Sequence, residues 1–116
     1  MSKRKNNQGI IYALYLPIEH QIKIGCTLGN LWQRLQQIKF ENNSSTINLL
    51  GVIDVLDCCW DKERKIHQDL YPFRVKGREW YKPTRKVKQY VQDNFISLEE
   101  YEMQWAERIR TTYLKA

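Results

Sequence analysis

The sequence predicts an α+β fold: a small antiparallel sheet with helices packed on it. Three observations lead there. Two short runs rich in β-formers, 10–16 and 21–26, are separated by a Pro-led turn. A long apolar run over 47–56 reads as a further strand, and three later segments have apolar residues at helical spacing with recognisable capping residues. The resulting order, β-β-α-β-α-α-α, is met by helices covering a small antiparallel sheet.

Each element has a local cause. Residues 10–16 are apolar and Pro17 stops them; 21–26 alternate polar and apolar as Gln21, Ile22, Lys23, Ile24, the period of a half-buried strand. The two runs pair as an antiparallel hairpin with a four- or five-residue loop. Gly29-Asn30 opens a helix over 31–40 whose stripe is Leu31, Leu35 and Ile38, and Arg34 falls at the edge of that core face. A polar loop, 41–46, leads to 47–56, where near-continuous apolarity predicts a central strand covered on both faces. Asp57 is placed to cap a helix over 58–70, with Cys59, Ile66 and Leu70 as its stripe and Pro72 beyond its end. Residues 73–81 read as irregular around a Lys76-Gly77 turn. Pro83-Thr84 precede a helix over 85–95 with Val87, Val91 and Phe95 on its apolar face. Ser97 and Glu100 fit a capping box, and the last helix carries Leu98, Tyr101, Trp105, Ile109 and Thr112 on one side.

With 116 residues, 42% apolar and 12% aromatic, the chain has material for one core, which argues against a disordered chain. No apolar run approaches the roughly 20 residues of a membrane helix. The basic segment 1–8 lacks the apolar stretch of a secretory signal and reads as a flexible arm. The remainder divides into a domain over 9–95 and a C-terminal helix, 96–116, packed on the domain or in a dimer contact. The expected state is a monomer or weak homodimer. Cys26, Cys58 and Cys59 have neither a disulfide framework nor zinc-ligand spacing, and read as small hydrophobes in a reducing cytoplasm. Nineteen Lys plus Arg against thirteen Asp plus Glu leave a formal charge of +6, which favours a nucleic-acid partner over an acidic protein.

Glu63 is the sharpest single residue, because a carboxylate on an apolar stripe costs free energy unless a divalent cation or an arginine such as Arg34 pairs with it. His67, four residues on, shares its helical face and can carry a proton or serve as an ordinary hydrogen-bonded polar residue. Tyr12 and Lys23 lie on neighbouring strands; sharing a face would let the ammonium lower the phenol's pKa, so that Tyr12 could take a proton from water. Otherwise Tyr12 is a packing ring with a wet hydroxyl. Arg34 can clamp a phosphate or close a helix-edge salt bridge. Arg74, Lys76, Arg78, Lys82 and Arg85, interleaved with Trp80 and Tyr81, suit a phosphate track or a solvated loop.

Taken together these residues resemble the GIY-YIG nuclease family, in the short phage-type branch whose second motif reads KIG. Gly9-Ile10-Ile11-Tyr12 is similar to the first motif with one extra residue, and Lys23-Ile24-Gly25 to the second. Arg34 in Trp32-Gln33-Arg34-Leu35 matches the helical arginine, and Glu63 with His67 the E-x-x-x-H of this branch. Gly77-Arg78-Glu79-Trp80-Tyr81 is similar to its closing G-x-E-W-F. The resemblance spans about 9–95. It implies a three-stranded antiparallel sheet flanked by helices, and hydrolysis of DNA phosphodiesters with one Mg2+ or Mn2+ ion, RNA remaining open as a substrate. It implies Tyr12 as the nucleophile-activating phenol or its hydrogen-bond partner, Arg34 as the stabiliser of phosphate charge and Glu63 as the metal ligand. Lys23 stands where most members have a second Tyr, and Ile38 where many place His or Tyr. The alternative reading is a nucleic-acid-binding module of the same fold with weak or no catalysis.

Overall fold

A computed structural model describes residues 9–42, 46–77 and 79–114. The basic arm 1–8 and Arg78 lie outside them. Strands β1 (Gly9–Leu16) and β2 (Gln21–Thr27) form the expected hairpin, closed by a turn in which His20 takes φ +53°. Helix α1 (Leu31–Glu41) follows, then β3 (Asn48–Val55), α2 (Cys59–Asp69), a 3-10 turn (Tyr71–Phe73), β4 (Arg74–Lys76), β5 (Trp80–Tyr81), α3 (Arg85–Asn94) and α4 (Leu98–Leu114).

The fold is α+β, but the three-stranded sheet is wrong. Five antiparallel strands run in the order β3-β1-β2-β5-β4. The two extra strands come from the stretch read as irregular. They are three and two residues long, too short for periodicity to register. Gly77, at φ +53°, turns one into the other, and β5 pairs with Ile22 and Lys23 of β2.

The run at 47–56 is also misplaced: β3 is an edge strand, not a central one. Its apolarity has another source. On its outer side Val52 and Ile96 exchange both backbone hydrogen bonds, at 2.8 and 3.0 Å, and α3 and α4 pack against it. Gly51 fits there because a Cβ would come 2.8 Å from Phe95 Cβ and 2.9 Å from the Ile96 carbonyl.

Cross-strand partners share a face, so each face of β1–β2 can be read from the register. Ile11, Ala13, Ile22 and Ile24 pack with Cys59 and Ile66 of α2, with Leu70 at its C-cap and with Val87 and Val91 of α3. Tyr12, Leu14 and Leu16 pack with Leu31, Leu35 and Ile38 of α1. The sheet therefore separates α1 from α2. The helix starts follow local chemistry. Asn30 Oδ1 accepts from Gln33 N at 3.1 Å, Thr84 Oγ1 from Val87 N at 3.2 Å and Ser97 Oγ from Glu100 N at 3.1 Å. Asp57 does not cap α2: that place falls to Cys58, whose side chain makes no capping bond. Leu98 and Tyr101 pack at the α1 face of the sheet, while the side chains of Trp105, Ile109 and Thr112 lie outside the described residues.

Candidate functional site beside β2

Gly25 is opposite Tyr12 in the β1–β2 register and Lys23 is opposite Leu14, so Tyr12, Lys23 and Gly25 belong to one face. Tyr12 is fully buried under α1, and its hydroxyl accepts a 3.3 Å hydrogen bond from Arg34 Nε. Arg34 also donates to Gln37 Oε1 at 3.0 Å. Burial opposes the Arg34 charge. The Tyr12 bond and the nearby Glu41 and Glu79 outweigh it and hold the guanidinium above its ordinary range, a permanent cation.

The expected lowering of the Tyr12 pKa is reversed. Burial pushes the phenol up to about 12, and Arg34 only partly offsets it. Lys23 does not serve the phenol. Its Nζ, in a side chain only 7% exposed, donates to Glu79 Oε2 at 3.0 Å and lies 4.7 Å from the centre of the Trp80 ring. A buried ammonium needs such a partner.

Glu79 is the residue that sequence reasoning missed. It precedes β5, and its carbonyl accepts from Ile24 N at 2.8 Å, extending the β2 edge bonding by one residue. A Cβ placed on Gly25 would lie 2.6 Å from the Tyr12 hydroxyl and 2.8 Å from Glu79 Oε1. Phenol and carboxylate therefore both border the space that Gly25 leaves vacant. The signal was present in the Gly77-to-Tyr81 motif, but its meaning depends on a strand pairing invisible to local pattern.

Glu63 and His67 lie across the sheet from Tyr12, on α2. Their side chains are 22% and 13% exposed, with His67 Nε2 3.9 Å from Glu63 Oε2. Glu63 thus sits beside His67, not Arg34. His67 Nδ1 shares a hydrogen bond with the Tyr81 hydroxyl, and Nε2 is buried without a hydrogen-bond partner. Tyr81 is a second residue missed from sequence. Burial raises its phenol pKa, opposed by Arg74 and reinforced by Glu63 and Glu79.

The α2 group opens on a cleft of about 790 Å3, whose lining includes Glu79 but not Tyr12, Lys23 or Arg34, which stay on the α1 side of the sheet. Glu63, His67, Arg74 and Glu79 line it, with Trp60 and Tyr71 at hand. Glu79 is the common member: it touches the Tyr12 side at Gly25 and the Glu63 side in the cleft. Of the proposed phosphate track, Arg74, Lys76, Lys82 and Arg85 are exposed. Arg74 stacks over Tyr71 at 4.6 Å and Lys76 over Trp80 at 5.0 Å. The cysteines are free thiols; Cys26, hydrogen-bonded to Cys59 and half-buried beside Glu63, is pushed well above the usual thiol range.

Among the described residues no three His, Cys, Asp or Glu side chains converge as a closed metal cage. A carboxylate in an open, wet cleft instead suits Mg2+ or Mn2+. Mg2+ takes one or two carboxylates, keeps several waters and completes its shell with phosphate oxygens. The donors present fit such an ion.

A family model described as the T5orf172 domain matches residues 9–100. That domain is phage-associated and related to nuclease-like modules of the GIY-YIG and HNH types; the match is to this domain and not to the GIY-YIG family itself. Neither curated proteins nor solved structures include a match. No helix among the described residues is long and apolar enough to cross a membrane.

Proposed function

We propose that this chain, which belongs to the T5orf172 domain family, is a metal-dependent endonuclease that hydrolyses DNA phosphodiesters at the edge of β2. The observation carrying this reading is the meeting at Gly25. There the vacant Cβ position lets the Tyr12–Arg34 pair and Glu79 approach one another, while Glu79 also lines the cleft of Glu63 and His67.

Each residue then has a role set by its surroundings. Arg34 is a fixed cation for the charge that develops on the phosphate. Tyr12, kept neutral by burial, positions Arg34 through its hydroxyl and does not act as the base. His67, which lines the cleft, is the better acceptor for the proton of an attacking water once its ring turns Nε2 out from the buried place it holds beside Glu63. With Nδ1–H donated to Tyr81, its Nε2 is a free lone pair beside Glu63. The water oxygen bonds to phosphorus, its proton passes to Nε2, and one P–O ester bond breaks, the departing oxygen taking a proton from solvent. A divalent cation on Glu63, with Glu79 adjoining, would supply Lewis-acid stabilisation of that charge. Lys23 holds the Glu79 carboxylate in place.

Nicking of supercoiled plasmid in Mg2+ tests the reading. The wild-type chain should nick, and Glu63→Ala and Arg34→Ala should each lower the rate by about a hundredfold or more. Equal nicking by all three rejects it. The complete burial of Tyr12 favours a second reading, a binding module without cleavage. That module would retard DNA in a gel yet leave plasmid intact at every metal concentration.

A further inference from the structure

We propose that the cleft beside α2 is a stacking site for unpaired nucleotides, so that the preferred substrate is DNA with a single-stranded stretch next to the cleaved phosphate. This rests on the nucleic-acid reading above and adds the substrate class. Trp60, in the first turn of α2, and Tyr71, in the 3-10 turn that follows the helix, both line the cleft, with Glu63 and His67 between them in sequence. Both rings are turned to water, Trp60 50% and Tyr71 61% exposed. Single exposed aromatics are ordinary, but these two share one concavity, where a flat ring can lie against both.

Each aromatic has an arginine beside it, in a cleft that also holds the carboxylates of Glu63 and Glu79. Arg74 lies over the Tyr71 ring at 4.6 Å, and Arg64, 69% exposed and paired with Asp61 at 3.3 Å on the helix surface, stands one turn after Trp60. Arginine beside an aromatic face is the arrangement that holds a phosphate while its base stacks. In a duplex the base faces are covered by neighbouring pairs and cannot meet Trp60 or Tyr71; in an unpaired strand they are free. A volume of about 790 Å3 lies within the range of nucleotide-sized ligand sites.

Fluorescence anisotropy with a labelled single strand and a blunt duplex of equal length, in EDTA so that no cleavage occurs, tests this. The wild-type chain should bind the single strand more tightly. Trp60→Ala and Tyr71→Ala should each weaken that binding about tenfold and change duplex binding less than about twofold. Trp60→Phe should restore most of the loss. Both side chains are exposed, so thermal melts should coincide with wild type. Equal binding of both DNA forms, or alanine variants that bind the single strand like wild type, overturns the proposal. So does competition by poly-glutamate as effective as by unlabelled single strand, which would reassign the cleft to an acidic peptide. A chain that nicks plasmid but shows no strand preference loses this inference and keeps the nuclease reading. One that binds neither DNA form loses both.

Discussion

Glu79 gathers three interactions at the rim of β2: a backbone bond to Ile24, an ion pair with Lys23 and close packing at Gly25. Sequence points to Glu63, because a carboxylate on an apolar stripe is anomalous by itself, but gives Glu79 no such mark. Tyr12 shows the complementary limit. Its strand, its face and its neighbour Lys23 are legible from alternation, whereas the depth of burial that decides its pKa depends on α1 closing over it. That burial has a consequence in alkali. The folded phenol titrates near 12, above its ordinary 10, so the protection it contributes is whole below pH 10. It is lost as pH rises through 10 to 12, by about 2–3 kcal/mol from this group alone. Urea midpoints followed by circular dichroism should fall across that window, and Tyr12→Phe should flatten the fall. Tyr81 and Tyr90, also shifted upward by burial, keep it from vanishing. An unchanged slope in Tyr12→Phe would show the phenol to be solvated.

Elements with a strong period and a capping residue were readable: both strands of the first hairpin, α1 and α3 appear within a residue or two of expectation. Those that failed did so for identifiable reasons. β4 and β5 are shorter than any period, and β3 is apolar because Ile96 and two helices cover an edge, a cause that lies 44 residues downstream of Val52. The start of α2 was misread by one residue, since Asp57 looks like a cap and Cys58 occupies the position with φ −103° and ψ 104°. That extended backbone is what a capping serine adopts. Cys58→Ser should therefore supply the missing acceptor and stabilise the protein by about 0.5–1 kcal/mol, raising the thermal midpoint by roughly 3–4 °C. A midpoint unchanged or lowered in calorimetry would mean that the α2 amides already have other partners.

For the molecule as a whole, the +6 charge, with Arg64 and Arg74 lining the cleft, sets the terms of association. Nucleic-acid affinity in EDTA should drop at least about tenfold between about 50 and 200 mM salt, as counterion release requires. A flat salt response would remove the electrostatic basis of the functional reading. The pairing of Val52 with Ile96 reaches beyond this chain's own stability. A bare sheet edge is a template for another molecule's strand. Here the segment after α3 already occupies the middle of that edge, and the opposite border, β4, offers three residues, all exposed and two of them cationic. Fibrous growth by strand addition is thereby disfavoured at both borders, and copies of this protein that associate must do so through helices or loops.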